Sequence, residues 1–194
     1  DLLQVISEER PLAVQPMEFV GRATQHPLFS MVRWYLKSRG AVCLTTGVSL
    51  RKNMGKKYQL ELDHIFPYSR LKIAGYAKGN RVKYALAQEF TNRAILTQTA
   101  NRSKLAMEPA VYLTEVKTRF PKALELQCIP EEPELWQLPK YEVFLEKRRD
   151  LLASNINSFL DKITLTQEPE APATIEDLIQ EGESDELEFK STLR

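Results

Sequence analysis

The stretch LELDHIFPYSRL, Leu60 to Leu71, decides how the chain is read. Leu60 and Leu62 alternate with Glu61 and Asp63, which is the period of a half-buried strand, with His64 continuing the leucine face. The strand therefore carries an acid and one of the chain's two histidines at its end, and Pro67 stops it. A core strand avoids both residue types. The bland explanation is a cap or an ion pair at a strand end. The sharper one is chemistry: adjacent strand residues point to opposite faces, so Asp63 and His64 can serve one site from two sides.

A second run, TNRAILTQTANRSK (Thr91 to Lys104), favours the sharper reading. RAILTQ reads as a strand and TANRSKLAM as the start of a helix, with Thr99 as its N-cap. Folded as a hairpin capped by that helix, the two runs gather Asp63, His64, Asn92 and Asn101 around one point. Phosphodiester hydrolysis needs such a set. A divalent cation offsets the charge that builds in the transition state, and Mg²⁺ (or Mn²⁺) takes hard oxygen ligands such as Asp63 and the Asn101 amide. A neutral histidine takes a proton from the attacking water near pH 7. Simpler readings make Asn92 a turn residue and Asn101 a helix-start residue.

LDHIFPYSRL followed by TNRAILTQTANRSK resembles the HNH nucleases with their ββα-metal fold, including the HNH domain of CRISPR effector nucleases. The layout from about Pro27 to Leu113 is most similar to the C-terminal HNH domain of GmrSD-type restriction endonucleases. The resemblance implies His64 as general base and Asp63 and Asn101 as Mg²⁺ ligands. It implies Asn92 as the middle polar residue of the motif, holding the loop and the His64 imidazole in place. Arg102 and Lys104 would sit near the scissile phosphate, with Arg70 and Arg93 as further phosphate contacts. Solvated surface is the plain alternative for these four cations. The implied activity is cleavage of DNA to 5′-phosphate and 3′-hydroxyl ends, in restriction of foreign DNA. In that family a nucleotide-hydrolysing domain upstream controls cutting. Zinc-binding cysteines of some HNH relatives are absent. The segment LIQEGESDELEFKSTLR resembles the opening of a Schlafen-type AlbA-like domain. Two rivals remain: a non-catalytic nucleic-acid-binding or regulatory module, and an HNH nuclease directed at RNA.

Charge patterning fits a polyanionic partner. The net charge is +1, yet residues 51–104 hold 12 Lys/Arg against 3 Asp/Glu, while residues 131–194 hold 7 against 16. The basic block surrounds the Asp-His strand, and clustering around a candidate site is what a nucleic-acid footprint looks like. Cys43 and Cys128 lack any short pairing, so a zinc knuckle is excluded and buried thiols in a reducing compartment are expected. No apolar run approaches 18 residues, so no membrane partner is expected, and the setting reads as a prokaryotic cytoplasm. The first residue is Asp1 rather than Met, which suggests a piece of a longer chain.

The expected architecture is α+β: a ββα-metal HNH core embedded in a mainly helical domain with a long C-terminal amphipathic helix. Residues 1–25 read as an arm leading in from an upstream domain, 26–165 as the HNH domain, 166–173 as a linker and 174–194 as the start of a truncated AlbA-like domain. HPLFSMVRWYLKSRG has helical spacing and a Gly40 stop, with His26 structural and Trp34 and Tyr35 in the core. AVCLTTG reads as a short strand, KIAGYAKGN as a loop, and RVKYALAQEF and EPAVYLTEVKTRF as helices. PKALELQCIPEEPELWQLP reads as loop. Tyr141–Ile163 carries Phe144, Leu145, Leu152, Ile156 and Phe159 near a 3.6 period, which predicts the long helix.

Overall fold

The computed structural model describes residues 13–51, 60–98 and 106–166, with side chains to position 163. In chain order the elements are α1 (Pro27–Ser38), β1 (Leu60–His64), α2 (Tyr68–Ile73), α3 (Arg81–Gln88), β2 (Arg93–Thr97), α4 (Pro109–Arg119), α5 (Ala123–Leu126) and α6 (Tyr141–Thr166). Short 3-10 turns include Pro16–Phe19, Phe90–Asn92 and Pro133–Trp136. Helix and strand are mixed, as the α+β expectation requires. Two compact units divide the chain, Asp1–Ser158 and Phe159–Arg194. Within the second, the described residues are the last turns of α6, and residues 167–194, including the AlbA-like stretch and most of the linker, lie outside the described residues.

Helix α1 forms where the spacing predicts it. The His26 imidazole Nδ1 accepts from the Leu28 amide at 3.3 Å, Pro27 occupies the first turn, and Gly40 takes φ +80° just past the end. Phe29, Val32, Tyr35 and Leu36 are its buried face, while Trp34, expected inside, is exposed. AVCLTTG does not form a strand. It contributes one isolated bridge, Val42 to Ser49, around a tight loop in which Gly47 has φ +66°. A β-carbon at Gly47 would meet the Phe120 ring at 2.7 Å, so the ring would have to shift, and the positive φ would strain any other residue there.

β1 and β2 pair antiparallel, with Leu62 opposite Ile95, Asp63 opposite Ala94 and His64 opposite Arg93. They are not a tight hairpin, because α2 and α3 are inserted between them. In this register Ala94 and Leu96 face β1 with their amide groups, and Arg93, Ile95 and Thr97 direct theirs to the opposite edge. That outer edge is buried, and side chains complete it. The Gln127 carboxamide accepts from the Ile95 amide at 3.0 Å and donates to the Ile95 carbonyl at 2.9 Å, as a third strand would. It also donates to the Val42 carbonyl at 2.8 Å. The Thr97 amide donates to Cys43 Sγ at 3.3 Å. Arg148 of α6 donates to the Arg93 carbonyl at 2.8 Å and to the Thr91 carbonyl at 2.5 Å.

The long helix is confirmed and organises the first unit. Tyr141 and Phe144 pack against Phe66 with ring centroids 5.0 and 4.9 Å apart. Arg148 is buried and also donates to the carbonyls of Cys128 and Gln127, both at 3.2 Å. Burial lowers its pKa to about 10, which leaves it charged at neutral pH. Arg149 grips the buried Glu89 carboxylate with two bonds of 2.7 and 2.8 Å. Glu89 also accepts from the Gly21 amide at 2.7 Å. Residues 13–25, read from sequence as an arm, are joined to this core: Phe19 packs on Phe90, and Val14 exchanges two hydrogen bonds with the Asn157 side chain. The segment read as loop after α4 contains α5 and the 3-10 turn Pro133–Trp136, whose Trp136 is buried. Both cysteines are buried free thiols, as expected.

Replacing the edge-completing amide should be costly. Gln127→Leu leaves the Ile95 amide and carbonyl buried without this partner and takes a donor from the part-buried Val42 carbonyl, at roughly 1–3 kcal/mol for each lost group that water cannot reach. Urea unfolding should show a lower midpoint with an unchanged slope, a loss of about 2–5 kcal/mol. A wild-type midpoint would show that this edge does not need the amide.

Candidate functional site

Ile65, Phe66 and Pro67 explain the spelling after the Asp-His pair. All three are buried, so the chain dives into the core directly after His64. Phe66 seats on α6, and Pro67 serves as the N-cap residue of α2, which begins where sequence alone suggested no helix. The turn is held by Asn92. Its Oδ1 accepts from the Phe66 amide at 2.9 Å, and its Nδ2 donates to the carbonyls of Phe66 at 3.2 Å and Ala87 at 3.3 Å. The Asn92 carbonyl accepts from the Ile65 amide at 2.8 Å. Only this orientation of the amide places a donor on each carbonyl. Asn92 is 0% exposed, so its side chain is spent on the backbone of this turn. Holding the loop was expected of it. Holding the imidazole was also expected; one side chain that meets the His64 ring is Arg93.

Arg93 Nη1 lies 3.1 Å from His64 Nδ1, directly across the strand pair. A guanidinium only donates, so Nδ1 is the acceptor and the neutral ring carries its hydrogen on Nε2. Arg93 Nη2 donates to Gln88 Oε1 at 2.9 Å, and Arg93 Nε is buried without a partner among the described residues. Burial lowers the Arg93 pKa, opposed by the charge of Asp63 and by Tyr141 and Tyr84. Asp63 thus lies close enough to Arg93 to be felt electrostatically, and both belong to one half-buried rim. The Tyr112 hydroxyl has its pKa raised, by burial first and then by Cys43 and Asp63, so it stays protonated near the carboxylate. The His64 ring stacks on Tyr68, with centroids 6.1 Å apart, and Tyr68 meets Tyr84 edge-on at 6.0 Å.

The remaining expected residues fare differently. Arg70 donates to Glu108 at 2.8 Å and to the Ala106 carbonyl at 2.9 Å. These contacts link α2 to the start of α4 through an ion pair whose two side chains are both exposed. Asn101, Arg102 and Lys104, with the Thr99 cap, lie outside the described residues. Among the described residues no group of three or more His, Cys, Asp or Glu side chains gathers to cage a metal. Asp63 is a hard oxygen donor, with Glu61 two residues earlier on the same strand face. Carboxylate oxygens are the hard donors that Mg²⁺ takes, since it binds through one or two carboxylates and keeps several waters.

Sequence reading missed Arg148 and Gln127, which hold the carbonyls on both sides of Asn92 and the strand beyond it. One had a signal. Arg148 falls on the apolar seam of α6, four residues from Phe144 and from Leu152, where a cation is out of place. Gln127 had none, because its partners are distant in sequence. No family model, curated protein or solved structure matches the chain. Among the described residues no helix is long and apolar enough to cross a membrane.

The clamp can be tested by keeping its acceptor and removing its donors. Asn92→Asp retains an oxygen for the Phe66 amide but aims a second oxygen at two carbonyls. It should destabilise the fold about as much as Asn92→Ala, by roughly 2–4 kcal/mol in chemical denaturation. An Asn92→Asp protein as stable as wild type would mean that the amide orientation is wrong.

Proposed function

We propose that the chain contains an HNH-type endonuclease domain that hydrolyses DNA phosphodiester bonds with Mg²⁺ or Mn²⁺. The observation that carries this reading is the Asn92 clamp. It joins an Asp-His strand end to the turn before an antiparallel partner strand, which is the relation the ββα-metal resemblance requires of these residues. Restriction of foreign DNA under control of an upstream nucleotide-hydrolysing domain, in a prokaryotic cytoplasm, follows from the same resemblance.

In this reading His64 takes the proton of the attacking water through Nδ1, the nitrogen now engaged by Arg93. A substrate phosphate is a stronger acceptor for a guanidinium than a neutral imidazole is. Arg93 therefore turns to the phosphate when substrate arrives, and Nδ1 is freed for water. Asp63 and, by resemblance, Asn101 would hold the metal ion. When bound, that ion offsets the negative charge developing on the phosphate oxygens. Asn92 keeps the His64 turn from drifting, and Tyr68 limits rotation of the ring by stacking on it.

The same Arg93 contact also favours one rival, a non-catalytic nucleic-acid module in which His64 only completes a basic surface. Plasmid nicking with Mg²⁺ separates the two. Wild type should nick, His64→Ala should lose about 10²–10⁴-fold as expected for a general base, and Asn101→Ala should be impaired. Absent wild-type nicking, or equal cutting by His64→Ala, defeats the enzyme reading. Parallel digestion of RNA and DNA decides the nucleic acid.

A further inference from the structure

We propose that the α2–α3 helical hairpin is a docking arm for the nucleic-acid backbone flanking the cut. The claim rests on the nuclease reading for its target, but not for its binding chemistry. From Pro67 to Gln88 the chain contains no Asp or Glu, and it carries Arg70, Lys72, Lys78, Arg81 and Lys83. Arg70 is paired with Glu108, and the Lys83 ammonium sits over the Tyr76 ring at 5.2 Å. Lys72, Lys78 and Arg81 are exposed and form no ion pair among the described residues. They lie at the end of α2, in the connecting turn and at the start of α3, so three cations without an ion pair among the described residues flank the turn that joins the two helices, whose Tyr76 is anchored on Tyr141 and Glu142 of α6. Between them Ile73 and Val82 are 89% and 74% exposed.

The hairpin is rooted at the site and held in shape. Its first residue, Tyr68, stacks on His64, and Tyr84 from the returning helix closes on Tyr68. Gly75, at φ +94°, makes the turn, and Asn80 Oδ1 caps α3 by accepting from the Lys83 amide at 3.1 Å. Lys72 is one helical turn past Tyr68, about 6 Å along the axis, close to the rise of about two nucleotides in a strand. The arm therefore meets phosphates next to the one at His64, and extends the footprint beyond it. The cations take phosphates, and Ile73 and Val82 lie against sugars and bases. A membrane surface fits less well, because interfacial helices need a continuous apolar face, and here two isolated side chains protrude among charges.

Removing the three free cations tests the arm. The full chain, in EDTA, is titrated against a labelled duplex of about 20 base pairs from about 50 to 300 mM salt, reading fluorescence anisotropy. Each phosphate contact contributes about 0.9 to the slope of log affinity against log salt, so the Lys72→Ala/Lys78→Ala/Arg81→Ala protein should show a slope shallower by about 2–3. Its melting temperature should stay at the wild-type value, since these exposed side chains form no ion pair among the described residues. The charge-conserving Lys72→Arg/Lys78→Arg/Arg81→Lys protein should regain the steep slope. A triple-alanine protein with wild-type slope and affinity overturns the arm. So does loss of binding to phosphatidylserine vesicles with DNA binding intact, which would make the turn a lipid surface. A wild type that binds with this slope but never nicks defeats the nuclease reading and leaves the arm standing.

Discussion

A two-stranded sheet has two open edges, and this one buries the outer edge of β2. Backbone amides and carbonyls cannot be left in an apolar interior without partners, so something must act as the missing third strand. Here side chains do so: Arg148 for Thr91 and Arg93, Gln127 for Ile95, and Cys43 for Thr97. Each comes from a different part of the chain. The small sheet is thus the point at which α6, the loop after α5 and the bridge loop near Val42 are tied together.

The candidate site inherits its geometry from that edge. Arg148 holds the carbonyls on either side of Asn92, and Asn92 in turn holds the turn after His64. Arg149 and Glu89 secure the same 3-10 turn from its other end. A loop that must present an imidazole at a solvent rim is in this way backed by buried polar contacts on rigid elements, the arrangement that precise positioning requires. The cost is a buried cation whose partners among the described residues are four carbonyls and no acid, tolerable because each of these bonds is to a fixed backbone dipole.

Much of the local structure was legible. α1, α3, β1, β2, α4 and α6 follow from period, caps and stops, because each has a face that must be buried. AVCLTTG misled: its apolar run looks like a strand, but Gly47 must pass under Phe120, and the chain turns back after a single bridge. Helix α2 was invisible, since six residues with a proline before them carry too little pattern, and Phe66 packing decides where they go. The clamp role of Asn92 was readable from its place in the motif. The engagement of His64 by Arg93 was not, because cross-strand neighbours depend on register, and register is set only when both strands are paired.

By itself the sequence determined the Asp-His strand end, the asparagine that follows at the second strand, the long amphipathic helix and the concentration of positive charge around them. These are properties of spacing and composition, which local physics reads directly. Tertiary structure alone decided which side chains complete the buried edge of β2, that Arg70 pairs with Glu108, and that Lys72, Lys78 and Arg81 form no ion pair among the described residues. The reason is that a polar group's partner is chosen by what folding leaves buried beside it, and residues tens of positions apart become neighbours only after the core has closed.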